Sequence, residues 1–151
     1  MPHVRTTLPS RAYTDSSWYA LEMERVFARM WLAAGRADQL AHPGAFVRRD
    51  VAGASVLIVR AADGSIRAHH NVCRHRGTRL CVESSGTFQG SIQCPYHAWT
   101  YGLDGRLLAA PQMDEVGGFD RSAFPLREVA CEEWDGHIFV NLSENPRPLA
   151  S

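Results

Sequence analysis

Two short cysteine–histidine pairs, Cys73-Arg74-His75 and Cys94-Pro95-Tyr96-His97, limit what this chain can fold into more than any other feature. Each puts one thiol and one imidazole in a loop too tight for an ordinary metal finger, so the two side chains sit together at the loop tip. Residues 76–93 separate His75 from Cys94, which is 18 residues. That leaves room for a strand, a turn and a returning strand, so two loop tips can face each other across one shared site. Gly77 lets the chain turn sharply after the first loop, and Pro95 stiffens the second.

The rest of the chain supplies a β scaffold for those loops. Ser55–Arg60 is rich in β-branched residues and reads as a strand, with Phe46-Val47 opening a shorter one before it. Strands are also expected over 66–72, 87–93, 99–101, 106–109, 126–131 and 137–142. Asp63-Gly64, Asp104-Gly105 and Asp135-Gly136 mark the turns. Short strands with frequent turns predict a mainly β, antiparallel sandwich or small barrel, with the two metal loops inserted as a subdomain over 71–102. One helix precedes it. Thr14-Asp15-Ser16 is an N-cap cluster, and Tyr19, Met23, Val26, Phe27 and Met30 follow at helical spacing. The expected helix runs from Asp15 to about Ala33, its apolar stripe packed on the core. The division is then 1–40 for the N-terminal segment, 41–143 for the metal-binding domain and 144–151, with Asn145-Pro146-Arg147-Pro148, for the start of a linker.

Composition narrows the function class. Lys+Arg and Asp+Glu both number 16, so neither nucleic acid nor an anionic membrane is an expected partner. Four cysteines are too few for a disulfide scaffold. Met1 to Tyr13 has no apolar leader-like run, and no apolar stretch reaches membrane-spanning length. A soluble cytoplasmic protein with reduced thiols is expected.

Two thiolates and two imidazoles can hold a [2Fe-2S] cluster in which two histidines replace two cysteines on one iron. In that reading Cys73 and Cys94 hold the inner iron, and His75 and His97 the outer one. Two ferric ions, two sulfides, two thiolates and two neutral imidazoles sum to zero charge. Reduction then leaves a single negative charge, whereas a four-cysteine cluster goes from minus two to minus three. The mixed ligand set is easier to reduce. Zinc is the competing occupant, since the same four atoms could bind it tetrahedrally. Structural zinc motifs favour like pairs, such as Cys-x2-Cys, which this chain lacks.

The stretch Asn71-Val72-Cys73-Arg74-His75-Arg76-Gly77, with Cys94-Pro95-Tyr96-His97-Ala98-Trp99-Thr100-Tyr101-Gly102, resembles the Rieske domain of a ring-hydroxylating oxygenase α subunit. The likeness extends to Met23–Phe27 with Trp31-Leu32, and to Phe139–Leu142, so it covers nearly the whole chain. Ala98 departs from the family, where glycine is commoner; some members that oxidise quaternary ammonium compounds are similar there. The resemblance implies that a reductase or ferredoxin feeds electrons through the cluster to a mononuclear iron in a larger C-terminal catalytic domain of the same or a neighbouring α subunit. It also implies a homo-oligomer. That second iron is held by two histidines and a carboxylate. The remaining histidines, His3, His42, His69, His70 and His137, form no spaced pair with a downstream acid, so this chain is read as the electron-transfer part, not catalytically complete alone. A stand-alone Rieske ferredoxin is the alternative, and a zinc-stabilised interaction module a weaker one.

Several neighbours of the two pairs also bear on the site. Respiratory Rieske proteins carry an extra cysteine in each loop, joined as a clamp; here Tyr96 stands in that place, so Cys81 and Cys131 read as reduced structural residues. Trp99 replaces a serine that donates to a sulfide in the respiratory type, and its bulk is expected to pack on the loop. Arg74 and Arg76 flank His75, either as solvated charges or as groups that stabilise the reduced site or dock a partner's acids. His69 and His70 are strand neighbours that point to opposite faces and cannot serve one site.

Overall fold

The computed structural model describes residues 7–113 and 115–150, so His3 and the first six residues of the N-terminal stretch lie outside it. Two short helices, α1 (Arg11–Thr14) and α2 (Ser16–Arg25), come first. The strands are β1 (Leu32–Arg36), β2 (Ala45–Val51), β3 (Ala54–Arg60), β4 (Ile66–His70), β5 (Ser85–Thr87), β6 (Ser91–Gln93), β7 (Thr100–Gly102), β8 (Leu107–Ala109), β9 (Glu128–Trp134) and β10 (His137–Asn141). They form a seven-stranded sheet in the order β1-β10-β9-β4-β3-β2-β5 and a three-stranded sheet in the order β6-β7-β8. Every pairing is antiparallel, as the frequent turn signals require.

β3 organises the molecule because it is buried on both faces. Successive strand residues point oppositely. Val56 and Ile58 therefore enter one core with Val47, Ala68, Ile138 and Val140. Leu57 and Val59 enter a second core with Phe46, Ile92, Tyr101 and Trp99, under the small sheet and the metal loops. All four β3 side chains from Val56 to Val59 are 0% exposed. Burying each contributes about 1.5–3 kcal/mol, so this one strand ties the platform to the site-bearing sheet.

The turns follow backbone chemistry. Asp135-Gly136 joins β9 to β10 with both φ angles positive, 49° and 71°, the mirror-type turn whose twist suits a hairpin. Gly105 is fixed by packing as well as by its φ of +85°: a Cβ there would lie 2.6 Å from Cε1 of His69. His69 is buried, with Nε2 3.4 Å from the Leu103 carbonyl oxygen. Burial holds its imidazole below the ordinary pKa. It packs between the sheets, while His70 points away from it.

Three expectations differ from what forms. α2 begins as expected, with the Asp15 carboxylate accepting from Ser17 N at 2.8 Å, but it ends at Arg25. A 3-10 turn follows at Phe27–Arg29, and Leu32–Arg36 is not helix but the edge strand β1 on β10. Pairing with β10 outweighs the helical periodicity that continued to Ala33. The apolar stripe does not pack on the core either: Tyr19, Val26 and Met30 are 59%, 49% and 42% exposed. Finally, residues 87–93 are not one strand. Gly90, at φ +81°, breaks the run, so β5 joins the large sheet and β6 the small one. Among the described residues, no helix is long and apolar enough to cross a membrane.

Candidate metal centre

The two loops close in the same way. In the first, Cys73 N donates to Thr78 O at 2.8 Å, and Gly77 N donates to Cys73 O at 3.0 Å. In the second, Cys94 N donates to Trp99 O at 2.8 Å, and Ala98 N donates to Cys94 O at 3.1 Å. Each loop thus bends at the fourth residue after its cysteine, and both bend positions have positive φ, 73° at Gly77 and 55° at Ala98. This accounts for the glycine that is commoner at position 98: an L-residue there costs on the order of 1–2 kcal/mol. The first loop is also pinned at its base. The fully buried Asn71 amide donates to Cys81 O at 2.6 Å and accepts from Cys81 N at 3.0 Å, and Nδ2 reaches Ser55 Oγ on β3 at 3.2 Å.

These closures bring Cys73, Cys94, His75 and His97 together as two unlike pairs. The thiols are inner, each 3% exposed, and Cys73 Sγ faces Cys94. Burial pushes the Cys73 thiol above its ordinary pKa, and the neighbouring Cys94 adds to this. The imidazoles are half-buried, with ring centroids 4.9 Å apart, edge on. Burial, with His97 and Arg76 nearby, holds His75 below the ordinary histidine range, which favours the neutral ring a metal needs. His97 Nδ1 is buried without a hydrogen-bond partner, an orphaned ring nitrogen suited to ligation. Among the described residues, no three His, Cys, Asp or Glu side chains are arranged to hold a single metal ion. An inner thiol pair and an outer imidazole pair fit a cluster of two irons, each taking one pair, better than one tetrahedral zinc.

Aromatic rings set the imidazole planes. Trp99, 2% exposed, lies parallel to His75 at 4.8 Å between centroids and 5° between planes. Phe119 and Phe124 hold Trp99 edge on at 5.8 and 5.7 Å. Tyr96, exposed, stacks on His97 at 3.8 Å. Trp99 therefore packs against the loop as expected. Arg76 is exposed; Arg74 is half-buried, with its Nε buried and unpartnered. Cys81 and Cys131 are free thiols. Burial, with Glu83 beside it, pushes Cys81 up to about 11, and burial pushes Cys131 up to about 12.

Sequence reasoning did not single out Tyr101. Its hydroxyl accepts from Arg74 N at 3.1 Å and lies 3.3 Å from Cys73 Sγ. Because the oxygen already accepts, its proton is free for the sulfur. Burial and the adjacent Cys73 raise its pKa, which keeps that proton in place. The available signal was the position, four residues after His97 on the strand leaving the second loop.

The fold and this site define a Rieske [2Fe-2S] domain, whose family profile matches residues 30–125; the chain belongs to that family. Its cofactor is a [2Fe-2S] cluster. Curated relatives include the carnitine monooxygenase oxygenase subunit of Acinetobacter baumannii, 39% identical over 144 residues, covering 95% of this chain and 38% of the relative. The glycine betaine monooxygenase oxygenase subunit of Pseudomonas aeruginosa is 40% identical over 141 residues, covering 93% and 32%. The chain thus spans less than two-fifths of the length of these relatives. Among solved structures, the quaternary ammonium Rieske monooxygenase CntA with L-carnitine superimposes with a TM-score of 0.89 at 38% identity, covering 95% of this chain and 40% of that one. Naphthalene 1,2-dioxygenase from Rhodococcus sp. gives 0.89 at 29% identity, covering 95% and 33%.

Two outcomes follow from this geometry. Tyr101→Phe removes one hydrogen bond from Cys73 Sγ and should lower the reduction potential by roughly 20–60 mV, from a net bond worth about 0.5–1.5 kcal/mol; voltammetry showing an unchanged potential would mean the hydroxyl does not donate to Cys73. Ala98→Gly should raise unfolding stability by up to about 1 kcal/mol, the relief of left-handed strain less the entropy cost of glycine. A loss of stability on chemical denaturation would show that Ala98 is not strained.

Proposed function

We propose that Cys73 and Cys94 bind one iron and His75 and His97 the other of a single [2Fe-2S] cluster, and that the chain serves as the electron-transfer part of a Rieske oxygenase α subunit. The observation that supports this most is the sorting of the four side chains into buried thiols and half-buried imidazoles. When bound, the cluster supplies a one-electron redox centre. The chain's own residues do the rest. Tyr101 offers a proton to Cys73 Sγ, where negative charge grows on reduction. The core around Leu57, Ile92 and Trp99 excludes water from the thiols, while His75 and His97 sit at the surface side, where a partner can approach. Trp99 and Tyr96 fix the imidazole planes.

The electron donor is a reductase or ferredoxin. The acceptor is a mononuclear non-haem iron in a catalytic domain of the same or a neighbouring α subunit, within a homo-oligomer in the cytoplasm. One solved relative is described in terms of inter-subunit electron transfer, which supports that arrangement. The substrate of the whole oxygenase is an N-methylated compound, such as a quaternary ammonium, rather than an aromatic hydrocarbon. Relatives named for carnitine, glycine betaine and N,N-dimethyl phenylurea share 38–41% identity, against 29–31% for naphthalene dioxygenases. A stand-alone ferredoxin is the second reading. The α1–α2 segment disfavours it, because that segment contributes no residue to either core and a small carrier has no use for it.

The purified chain should be red-brown, with two irons and two acid-labile sulfides per chain. Its potential should fall near the low end of the Rieske range, roughly −150 mV, and His97→Cys should lower it further or abolish the cluster, since a thiolate adds negative charge. A colourless protein carrying one zinc would contradict the assignment, as would an intact His97→Cys cluster at the original potential.

A further inference from the structure

A cavity of about 340 Å³ opens beside the first metal loop, away from the imidazoles, lined by His70, Val72, Cys73, Arg74, Gly77 and Arg127. No carboxylate lines it. The only ion pairs among the described residues are Arg36–Asp38, Arg48–Asp50, Arg67 with Asp63 and Glu128, and Arg106–Asp104, so neither Arg74 nor Arg127 is neutralised. Arg74 Nε is buried with no hydrogen-bond partner, an arrangement that costs about 1–3 kcal/mol unless an acceptor arrives. Arg74 and Arg127 are anchored by their backbones, Arg74 N donating to the Tyr101 hydroxyl at 3.1 Å and Arg127 O accepting from His70 N at 2.9 Å. Gly77 leaves the floor open: nothing lies within 4 Å of where its Cβ would be.

We propose that this cleft is the docking site for carboxylate side chains on an acidic electron-donor protein. The inference rests on the electron-transfer reading given above. Two features favour a protein over a small anion. A second cavity of about 410 Å³ shares His70 and Arg127 and runs on to Asn141–Glu144, so the opening is an extended groove. The groove also has polarity. The second cavity is lined by Glu128 and Glu144, the former 3.6 Å from Arg67, whereas the cavity beside the metal loop has no carboxylate in its wall, so incoming acids are favoured at the latter. That end has Cys73 and Gly77 in its wall, which places a seated donor against the first metal loop. One electron leaves the reduced donor and enters this chain, with no bond or proton exchanged. Unpaired arginines at such a rim mainly speed encounter and make it salt-dependent.

The test uses the cluster-loaded chain and, as probe, a [2Fe-2S] ferredoxin with an acidic surface. Calorimetric titration with oxidised ferredoxin reads binding without turnover, and anaerobic stopped-flow with reduced ferredoxin reads transfer. Binding and rate should both fall as salt rises. Arg127→Gln should weaken them roughly threefold and Arg127→Glu about tenfold, with a flatter salt dependence. Arg25→Gln on α2, which changes net charge equally, should leave both unchanged. Reduced methyl viologen should reduce every variant at the wild-type rate. Ferredoxin binding that is indifferent to Arg127, with viologen reduction intact, would overturn the docking site alone. Failure of viologen to reduce the wild-type chain would instead overturn the electron-transfer reading. Salt-sensitive self-association abolished by Arg127→Gln, without an effect on ferredoxin, would assign the cleft to a second copy and also overturn the proposal.

Discussion

Two thiols buried side by side under the small sheet are what the rest of this structure must accommodate. Cys73 and Cys94 are almost inaccessible, and burial already opposes ionising the first of them. Two thiolates at that depth are tolerable only with a compensating cation, which deprotonates coordinating thiols outright. Loop closure therefore belongs to the chemistry as much as to the fold. Asn71 ties the first loop to β3, the repeated hydrogen-bond pattern shapes both tips, and Tyr101 reaches from β7 to connect Cys73 with the Arg74 backbone.

The two faces of β3 divide the labour between platform and site. One core stabilises the seven-stranded sheet, and the other carries the loops and sets their distance from water. Gradation in burial across the site then separates roles. The thiols lie inside, the imidazoles lie half-way out, and the unpaired arginines stand at the rim. A charge placed on such a centre is stabilised by donors from within and can be delivered from outside, with Trp99, held edge on by Phe119 and Phe124, stacked on His75 and Tyr96 stacked on His97.

What was legible in the sequence was local. The Cys–His spacing, the Asp-Gly turns and the β-branched run of β3 act within a few residues, so the antiparallel β class and the two-loop subdomain could be read directly. Longer-range effects could not. Tyr101 meets Cys73 across 28 positions, and nothing in a strand-forming tyrosine says where its hydroxyl ends. The helical periodicity up to Ala33 was real as a pattern, but β10 offered Leu32–Arg36 better hydrogen bonding as an edge strand. Gly90 divided 87–93 between two sheets because its positive φ redirects the chain, whereas a glycine inside a strand pattern signals only a weak point. The left-handed backbone at Ala98 was hidden by its residue type, although its equivalence to Gly77 explains it at once.

The central claim is that nitrogen from two histidines ligates a reducible cluster in this chain. Pulsed electron paramagnetic resonance of the reduced protein, with histidine labelled by 15N, tests it most directly. The account predicts hyperfine couplings from two coordinated imidazole nitrogens, one lost on replacing His75 and the other on replacing His97. A reduced cluster without coordinated nitrogen, or couplings that survive both replacements, would contradict it.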